Sequence, residues 1–339
     1  MNLASYLVNS LEFGSADEDQ ATIVSVPPYH IASVSSVLST TYTGRRVVQL
    51  ESFDAKEWVR LVREESVTHA MVVPTMLNRI LDVVEADGGG LPSMRSLAYG
   101  GGPMPRAVVE RAMRLLEGLD LVNAYGLTET SSTVAVLGPD DHRAAFGSDD
   151  PAVRERLGSV GRVLPGVELT IRDPQGELVP DGDLGEIWVR GEQVSGEYLG
   201  VDPSSVDGWF NTRDSGRLDD EGYLFVHGRL DDVIVRGGEN LSPGEIETVL
   251  VEHPAVESAA VVGIPDLEWG ERVVAAVVLQ PGAVADEAEL RDHVRGALRS
   301  ACTPERIKLT IELPFNETGK LLRRVLRDEL AAEFGSAPS

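Results

Sequence analysis

The sequence is poor in cysteine and in lysine. Cys302 is its only cysteine, and three of the 30 basic residues, Lys56, Lys308 and Lys320, are lysine. A single cysteine excludes an internal disulfide framework and a multi-cysteine zinc site. No apolar run approaches the length of a membrane span, and the net charge of −25 disfavours a protein that coats nucleic-acid phosphates. We therefore expect a cytoplasmic protein with no nucleic-acid or membrane partner.

The patterns along the chain change twice, and a chain of 339 residues has room for two or three domains. Residues 1–157 alternate apolar runs with helical patterns, which predicts an α/β subdomain with a parallel sheet. Residues 158–230 hold short strands separated by turn residues, which predicts a β-rich subdomain. Residues 231–335 mix strands and helices, which predicts an α+β carboxy-terminal domain.

Apolar periodicity places the individual elements. The predicted strands are 22–26, 46–50, 69–73, 96–99, 119–123, 168–172, 186–190, 223–227, 256–264, 273–279 and 308–313. The predicted helices are 2–13, 55–64, 75–86, 106–117, 245–252, 287–299 and 321–333. The charged, poorly periodic stretch 142–156 is predicted to be an exposed loop.

A glycine-rich segment, Tyr-Gly-Gly-Gly-Pro-Met-Pro at residues 99–105, follows one predicted strand and precedes a predicted helix. Glycines there let a ligand approach the backbone closely, and the amino terminus of a helix favours anions. A tight strand–helix turn with no ligand explains the same residues.

The segment Asn-Ala-Tyr-Gly-Leu-Thr-Glu-Thr at residues 123–130 also ends a strand. Tyr125 could stack on a base, Thr128 could bond a phosphate oxygen, and Glu129 could hold Mg²⁺ as a hard oxygen ligand. In the alternative interpretation, Thr128 and Thr130 cap a helix and Tyr125 belongs to the core.

Three polar segments, 209–214, 228–232 and 237–243, follow one another closely in the sequence. An aspartate can accept both hydroxyls of a ribose, and an arginine can contact a phosphate with its planar fork. Turn-forming aspartates and a surface ion pair are the simpler explanation.

Lys320 ends a fourth polar segment, Pro-Phe-Asn-Glu-Thr-Gly-Lys at residues 314–320. Arginine cannot replace a compact, strongly hydrated ammonium everywhere, so a lysine in so arginine-rich a chain suggests a chemical role. Gly319 would allow this loop to carry the ammonium to a site where negative charge develops. An exposed loop lysine is otherwise simply solvated.

Taken together and in order, these segments resemble the motifs of the adenylate-forming superfamily, which includes acyl- and aryl-CoA synthetases, peptide-synthetase adenylation domains and firefly-type luciferases. The likeness runs from Val24 to about Leu330. It implies the α/β fold of these enzymes, in which the third domain is a mobile lid. It also implies their reaction, in which an acid and Mg-ATP form an acyl adenylate and a thiol of CoA or a carrier protein then displaces AMP.

The resemblance also implies roles for individual residues. Those implied for the nucleotide are Gly100, Gly101, Gly102, Pro103, Tyr125, Thr128, Asp214 and Arg229, with Glu129 as the Mg²⁺ ligand. Lys320 would bridge the substrate carboxylate and the α-phosphate during adenylation. Asp231 matches the hinge, whereas Gly237, Gly238 and Trp269 match the tunnel for the thiol of CoA.

The acid pocket implied by the resemblance is lined by His30, Val73, Pro74 and Met76. Domains that activate amino acids place an aspartate near the position of His30 to pair with the ammonium. Residues 27–33 contain no acidic residue. We therefore expect a small-molecule aryl or acyl carboxylic acid, or its thioester, rather than an amino acid.

Two departures from the family pattern affect these expectations. Nothing in the sequence matches the Ser/Thr/Gly-rich phosphate loop that ends in Lys-Gly, so we expect an amino-terminally truncated fold with weakened ATP-driven adenylation. The sheet should then expose an edge and an apolar face, which a homodimer or a separate amino-terminal subunit would cover. In addition, Arg213 stands where the family usually has glycine.

Three functions remain open from the sequence. The first is a synthetase-like enzyme that acts on a carboxylic acid. The second is an ATP-independent condensing, cyclising or amide-forming enzyme of specialised metabolism, in which Lys320 or His30 would take acid–base or oxyanion roles. The third is a non-catalytic binding or partner subunit.

Overall fold

The chain divides into two units, Met1–Val226 and His227–Ser339, in a computed structural model. The structure describes residues 2–27, 31–102, 104–194, 205–316 and 321–335. Within those ranges, every helix is too short or too polar to cross a bilayer. The finer division at residues 157 and 230 stays a prediction.

The first unit is built on a seven-stranded sheet with the order β2-β1-β3-β4-β5-β6-β7. Its strands are β1 (Ala21–Val24), β2 (Arg46–Gln49), β3 (His69–Val72), β4 (Ser96–Gly100), β5 (Asp120–Leu127), β6 (Ser132–Leu137) and β7 (Arg162–Val163). The strands from β2 to β5 are mutually parallel, as expected, whereas β6 and β7 are antiparallel additions. The apolar runs of β1, β3 and β4 are mostly buried, as in a sheet covered on both faces.

Seven helices accompany this sheet among the described residues of the first unit. They are α1 (Asn2–Ser10), α2 (Ile31–Thr43), α3 (Ala55–Glu64), α4 (Pro74–Asp87), α5 (Arg106–Leu115), α6 (Pro139–Gly147) and α7 (Pro151–Glu155). Helix α3 begins where the Asp54 side chain accepts from the N–H of Glu57 at 2.9 Å. Trp58 and Val62 on its buried face join Leu77 and Ile80 of α4 in the main core.

The predicted loop at 142–156 is wrong, because α6 and α7 occupy most of it. Both helices begin with proline, whose fixed φ suits the first helical position. Asp141 accepts from the N–H of Gly138, and Asp150 accepts from the N–H of Ala152. These short helices are therefore specified by their caps rather than by an apolar stripe, so apolar periodicity did not show them.

A second sheet completes the first unit. Its strands are β8 (Val167–Arg172), β9 (Gly185–Gly191), β10 (Ser205–Val206), β11 (Trp209–Leu218) and β12 (Leu224–Arg229), in the order β10-β11-β9-β8 with β12 beside β11. The pairing of β11 with β9 shifts register between Asn211 and Ser215. Such a bulge bends the strand and changes the direction of its side chains, here around Asp214.

The second unit has one five-stranded sheet with the order β14-β13-β16-β15, in which β17 pairs with β16. The strands are β13 (Ile234–Arg236), β14 (Glu239–Leu241), β15 (Val256–Asp266), β16 (Gly270–Leu279) and β17 (Arg306–Thr310), and the helices are α8 (Pro243–Glu252), α9 (Glu287–Ala297) and α10 (Arg323–Phe334). Residues of β15 alternate between two cores, since Val261 packs with Ile246 of α8 whereas Val262 packs with Leu326 of α10.

Candidate active site

Several predicted site residues lie where the parallel strands β3, β4 and β5 end. Strand order reverses at β1, which lies between β2 and β3. In open parallel sheets, ligands bind outside the carboxyl ends of the strands at such a point. Val73 and Pro74 directly follow β3, and both Val73 and Met76 are buried. Three of the four residues predicted for the acid pocket therefore lie at the edge of the sheet where a ligand is expected.

The glycine turn after β4 needs glycine at two positions. A Cβ atom at Gly100 would lie 2.2 Å from the carbonyl oxygen of Ala124, and Gly101 has a φ of +81°. Both positions therefore exclude larger side chains. Positions for a Cβ atom at Gly101 and Gly102 lie 3.7 Å from Val73 Cγ1 and 3.9 Å from Pro74 Cγ. The turn thus lies directly beside the residues that follow β3.

The residue before the glycines is held by a buried hydrogen-bond relay. The Nδ1 of His142 lies 2.8 Å from the carbonyl of Gly138, and its Nε2 lies 2.8 Å from the Tyr99 hydroxyl. With Nδ1 as the donor to the carbonyl, Nε2 accepts from Tyr99. Burial raises the pKa of Tyr99 and lowers the pKa of His142, so both side chains stay neutral. The relay ties the end of β4 to α6.

The segment after β5 is a turn between two strands, so the interpretation that Thr128 and Thr130 cap a helix is wrong. The buried Thr130 side chain accepts from the N–H of Leu127 at 2.9 Å and lies 2.9 Å from the carbonyl of Ser132. These bonds close the turn without a helix. Thr128 is exposed and Glu129 is half-buried at its tip.

Tyr125 and Asp214 join the two sheets of the first unit. The Tyr125 hydroxyl donates to Oδ2 of Asp214 at 2.6 Å, and Asp214 is 6% exposed. The N–H of Asp214 donates to the Thr212 hydroxyl at 3.1 Å, and that hydroxyl donates to the carbonyl of Ile187 at 2.9 Å. The β11 bulge therefore fixes the carboxylate of Asp214 through its own backbone.

In the second unit, Gly237 lies against Trp269. The N–H of Gly237 donates to the carbonyl of Trp269 at 2.7 Å, and a Cβ atom at Gly237 would lie 2.9 Å from Cε3 of the indole. The guanidinium of Arg236 lies 5.2 Å from the centre of the indole, whose residue is 44% exposed. Gly237 and Trp269, two of the three residues predicted for the thiol tunnel, are thus in contact.

The turn that presents Trp269 is fixed by Asp266. Its Oδ1 accepts from the N–H groups of Trp269 and Glu268 at 2.9 Å each. These backbone bonds hold the pKa of the Asp266 carboxyl below its usual range, since they favour the ionised form.

Arg229 and Asp231, predicted for the ribose and the hinge, form an exposed pair at 3.9 Å.

Both units match one enzyme family. Residues 1–199 match the AMP-binding enzyme family, and residues 245–320 match the AMP-binding enzyme C-terminal domain. The chain belongs to the AMP-binding enzymes.

Three relatives show how far the likeness extends. The chain is 35% identical over 310 residues to the fatty acid–[acyl-carrier-protein] ligase ScoC of Streptomyces coeruleorubidus, covering 90% of this chain and 58% of that protein. The amide bond synthetase McbA of Marinactinospora thermotolerans is 32% identical with a TM-score of 0.85, covering 97% of this chain and 65% of that one. The o-succinylbenzoate CoA synthetase (MenE) of Bacillus subtilis, in complex with its acyl-adenylate intermediate, is 31% identical with a TM-score of 0.81, covering 96% and 64%.

The likeness confirms the predicted adenylate-forming α/β fold. The chain spans 58–65% of the length of these relatives, so their whole activities, substrates and partners are not transferred to it by likeness alone.

The structure brings together only part of the predicted AMP-binding site. Gly101, Gly102, Val73 and Pro74 are neighbours in the first unit, as are Tyr125 and Asp214. Lys320, His30 and Pro103 lie outside the described residues. Gly238 lies in the second unit and has a φ of +84°. The roles of all these residues stay predictions.

Sequence reasoning missed two arginines of this AMP-binding enzyme. Arg236 stacks on Trp269 and forms an ion pair with Glu305 at 2.7 Å. Arg323 forms an ion pair with Glu247 at 2.6 Å in the second unit. Their positions could have drawn attention, since Arg236 directly precedes the two glycines and Arg323 comes three residues after Lys320.

Arg213 gives a prediction about stability, because its φ is +60°. We expect Arg213→Gly to be more stable than Arg213→Ala by about 0.5–1 kcal/mol, since glycine avoids a left-handed strain of about 1–2 kcal/mol but has more unfolded-state entropy to lose. Both variants lack the guanidinium, so their difference reports the backbone alone. Urea unfolding measures it, and an alanine variant of equal or greater stability would contradict a strained bulge.

Proposed function

We propose that the chain binds the adenylate of a small aryl or acyl carboxylic acid and transfers the acyl group to a thiol. The carrying observation is the 2.6 Å contact of Tyr125 with the buried Asp214 in the first unit. A carboxylate held in this way suits a ribose, whose two hydroxyls are donors. Tyr125 offers an aromatic face for the adenine, and the glycine turn would frame the same base.

In the proposed reaction, a carboxylate oxygen of the acid attacks the α-phosphorus of ATP and pyrophosphate leaves. A thiolate sulfur then attacks the acyl carbon, and AMP leaves with the electrons of the broken C–O bond. Thr128 would bond the α-phosphate, Arg229 would assist at the ribose, and Lys320 would stabilise the charge that develops between carboxylate and phosphate.

Glu129 would be the protein ligand of the Mg²⁺ that arrives with ATP. Carboxylate oxygen is the ligand type that Mg²⁺ prefers, and Mg²⁺ at nucleotide sites is held largely by phosphates and water. Over the described ranges, no three side chains of the metal-binding types form a group that could hold a metal ion. A single carboxylate fits an ion that is part of the substrate.

The composition of the acid pocket supports an aryl or acyl acid. Val73 and Met76 are buried and apolar, and Pro74 adds a third apolar wall. A ligand ammonium there would lack an acidic partner within residues 27–33. His30 would be the polar group of this pocket.

Two thiols are candidate acceptors. The named substrates of the relatives include CoA, for the succinylbenzoate enzyme, and an acyl carrier protein, for ScoC. Both would present a thiol to the surface formed by Gly237, Gly238 and Trp269. Asp231 would be the hinge about which the second unit changes position between the two steps.

Calorimetry with AMP, ATP and two stable adenylate analogues, benzoyl- and octanoyl-sulfamoyl adenosine, tests the proposal. We expect an analogue to bind more tightly than AMP, because it adds contacts in the acid pocket to those of the nucleotide. Without Mg²⁺, ATP should bind no more tightly than AMP, because the named residues then contact only its adenosine and α-phosphate. If neither analogue nor AMP binds, the proposal fails.

Amide formation is a second candidate, favoured by the likeness to the amide bond synthetase McbA. In that reaction an amine nitrogen, rather than sulfur, attacks the acyl carbon of the adenylate or of a thioester. AMP or the thiol leaves with the electrons of the broken bond, and the nitrogen loses a proton. A competition of CoA and benzylamine for a supplied benzoyl adenylate distinguishes the two. Product from benzoyl-CoA and amine without any nucleotide would support the ATP-independent form.

We also propose that a phosphate-binding subdomain carried by a separate polypeptide covers the surface formed by α1, α2 and β2. Strand β2 is an edge of the sheet. Val8 and Phe13, on and just after α1, are 64% and 77% exposed, and Val37, Leu38 and Val47 are also exposed. A monomeric soluble protein rarely leaves such a surface open.

The partner proposal predicts a 1:1 complex. Light scattering after size exclusion should show the chain combining with an isolated amino-terminal part of the succinylbenzoate enzyme. Val8→Glu with Phe13→Glu should abolish the complex, whereas Leu178→Glu, an exposed site in a turn after β8, should not. A stable homodimer that excludes the added part would replace this proposal.

A further inference from the structure

Two described stretches of the second unit meet on either side of residues 317–320, the segment that contains Lys320. Phe315 and Leu321 form an antiparallel bridge. The N–H of Leu322 donates to the carbonyl of Pro314 at 2.8 Å. Residues 314–315 and 321–322, which flank this segment, are therefore bonded to each other and form one base, and the next residue is Arg323, the first of α10.

Arg323 ties this base to three other elements. Its Nη1 and Nη2 donate to Oε1 and Oε2 of Glu247 on α8 at 2.6 and 2.8 Å. Nη1 also donates to the carbonyl of Val261 on β15 at 2.8 Å. Its Nε lies 3.1 Å from Oδ2 of Asp232, the neighbour of Asp231.

The geometry of this cluster indicates that its ion pairs orient the Arg323 side chain rather than add much to the stability of the fold. The side chains of Arg323 and Glu247 are 21% and 12% exposed. For such a buried pair, lost hydration offsets much of the attraction, so an apolar pair would be about as stable. Two parallel N–H···O bonds, however, fix the plane and direction of a guanidinium. Burial lowers the pKa of Arg323, but Glu247 and Asp232 outweigh that effect and raise it, so the cluster stays charged.

We infer that Arg323 is a positioning residue that fixes the base of the segment carrying Lys320. This inference rests on the proposed function, in which Lys320 contacts the acyl-phosphate group. A lysine on a flexible stem loses conformational freedom when it binds, and a fixed base lowers that cost. Loss of Arg323 should therefore remove the contribution of Lys320 to the affinity for the adenylate, although Arg323 itself would contact no ligand.

The test is a double-mutant cycle on the affinity of the full chain for benzoyl-sulfamoyl adenosine, measured by calorimetry. We expect Lys320→Ala and Arg323→Gln each to weaken binding about tenfold, as for loss of one charged hydrogen bond. The affinity of the double variant should be within about twofold of that of the weaker-binding single variant, because the two substitutions remove the same contribution to binding. Arg324→Gln, which removes the same charge from the next, exposed residue, should bind within twofold of the unchanged chain.

Other results would contradict either the positioning role of Arg323 or the proposed function. Multiplicative losses in the double variant, or normal binding by Arg323→Gln, would overturn the positioning role, as would normal binding by Lys320→Ala. If Arg323→Gln unfolds, Arg323→Gln with Glu247→Gln removes both charges and takes its place. If the unchanged chain binds none of the adenylate ligands, the proposed function fails and this inference with it.

Discussion

Replacing Asp214 with alanine is expected to weaken the binding of AMP at least about a hundredfold. Two ribose hydroxyls would each lose a charged acceptor, and each such bond contributes about 1.5–3 kcal/mol. Asp214 is 6% exposed and its backbone N–H donates to the Thr212 hydroxyl, so its carboxylate is already oriented before a ligand binds. Calorimetry on the variant and the unchanged chain measures the loss.

Tyr125→Phe is the matched control for this prediction. It removes the hydroxyl that donates to Asp214 at 2.6 Å but keeps the carboxylate and the ring. We expect a loss of tenfold or less, because the ribose hydroxyls can still be accepted and only the preorganisation is reduced. Thermal unfolding without nucleotide checks that both variants keep the fold. Affinity of Asp214→Ala within threefold of the unchanged chain would place the nucleotide elsewhere.

The sequence predicted best those elements whose burial is periodic. Helix α3 has the predicted limits, because Trp58, Val59 and Val62 form one buried face and Asp54 caps it. The parallel strands β1, β3 and β4 were found within a few residues for a similar reason, since their apolar runs are mostly buried. Helices α6 and α7 lack such a stripe and depend on caps, so they were missed.

The sequence predicted which residues belong to the candidate site better than it predicted which of them contact one another. Motif order pointed to Tyr125 and Asp214 separately, but their hydrogen bond depends on how two sheets pack across 89 positions of sequence. Strand β11 was not predicted, because its Asn, Thr, Arg and Asp residues look like a loop and its bulge interrupts the alternation of side chains. Long-range packing of this kind leaves little local signal in a sequence.

Gly237→Ala is expected to slow thiol transfer from a supplied acyl adenylate about ten- to a hundredfold with little change in adenylate affinity. The new Cβ atom would lie 2.9 Å from Cε3 and 3.2 Å from Cζ3 of Trp269, so the indole must move. Arg236, the residue before Gly237, stacks on that indole, so the displacement would disturb this arginine as well as Trp269. Rapid-quench measurement of acyl-CoA formation gives the rate.

Gly238→Ala separates the effect of the indole from that of the backbone. Gly237 and Gly238 both have left-handed φ values, +60° and +84°, so alanine at either costs about 1–2 kcal/mol of strain. A Cβ atom at Gly238 meets no heavy atom of the described residues within 4 Å. We therefore expect Gly238→Ala to lose no more than a third of its rate. Equal losses in the two variants would trace the effect to backbone strain. Normal thiol transfer by Gly237→Ala would show that the thiol does not approach along this surface.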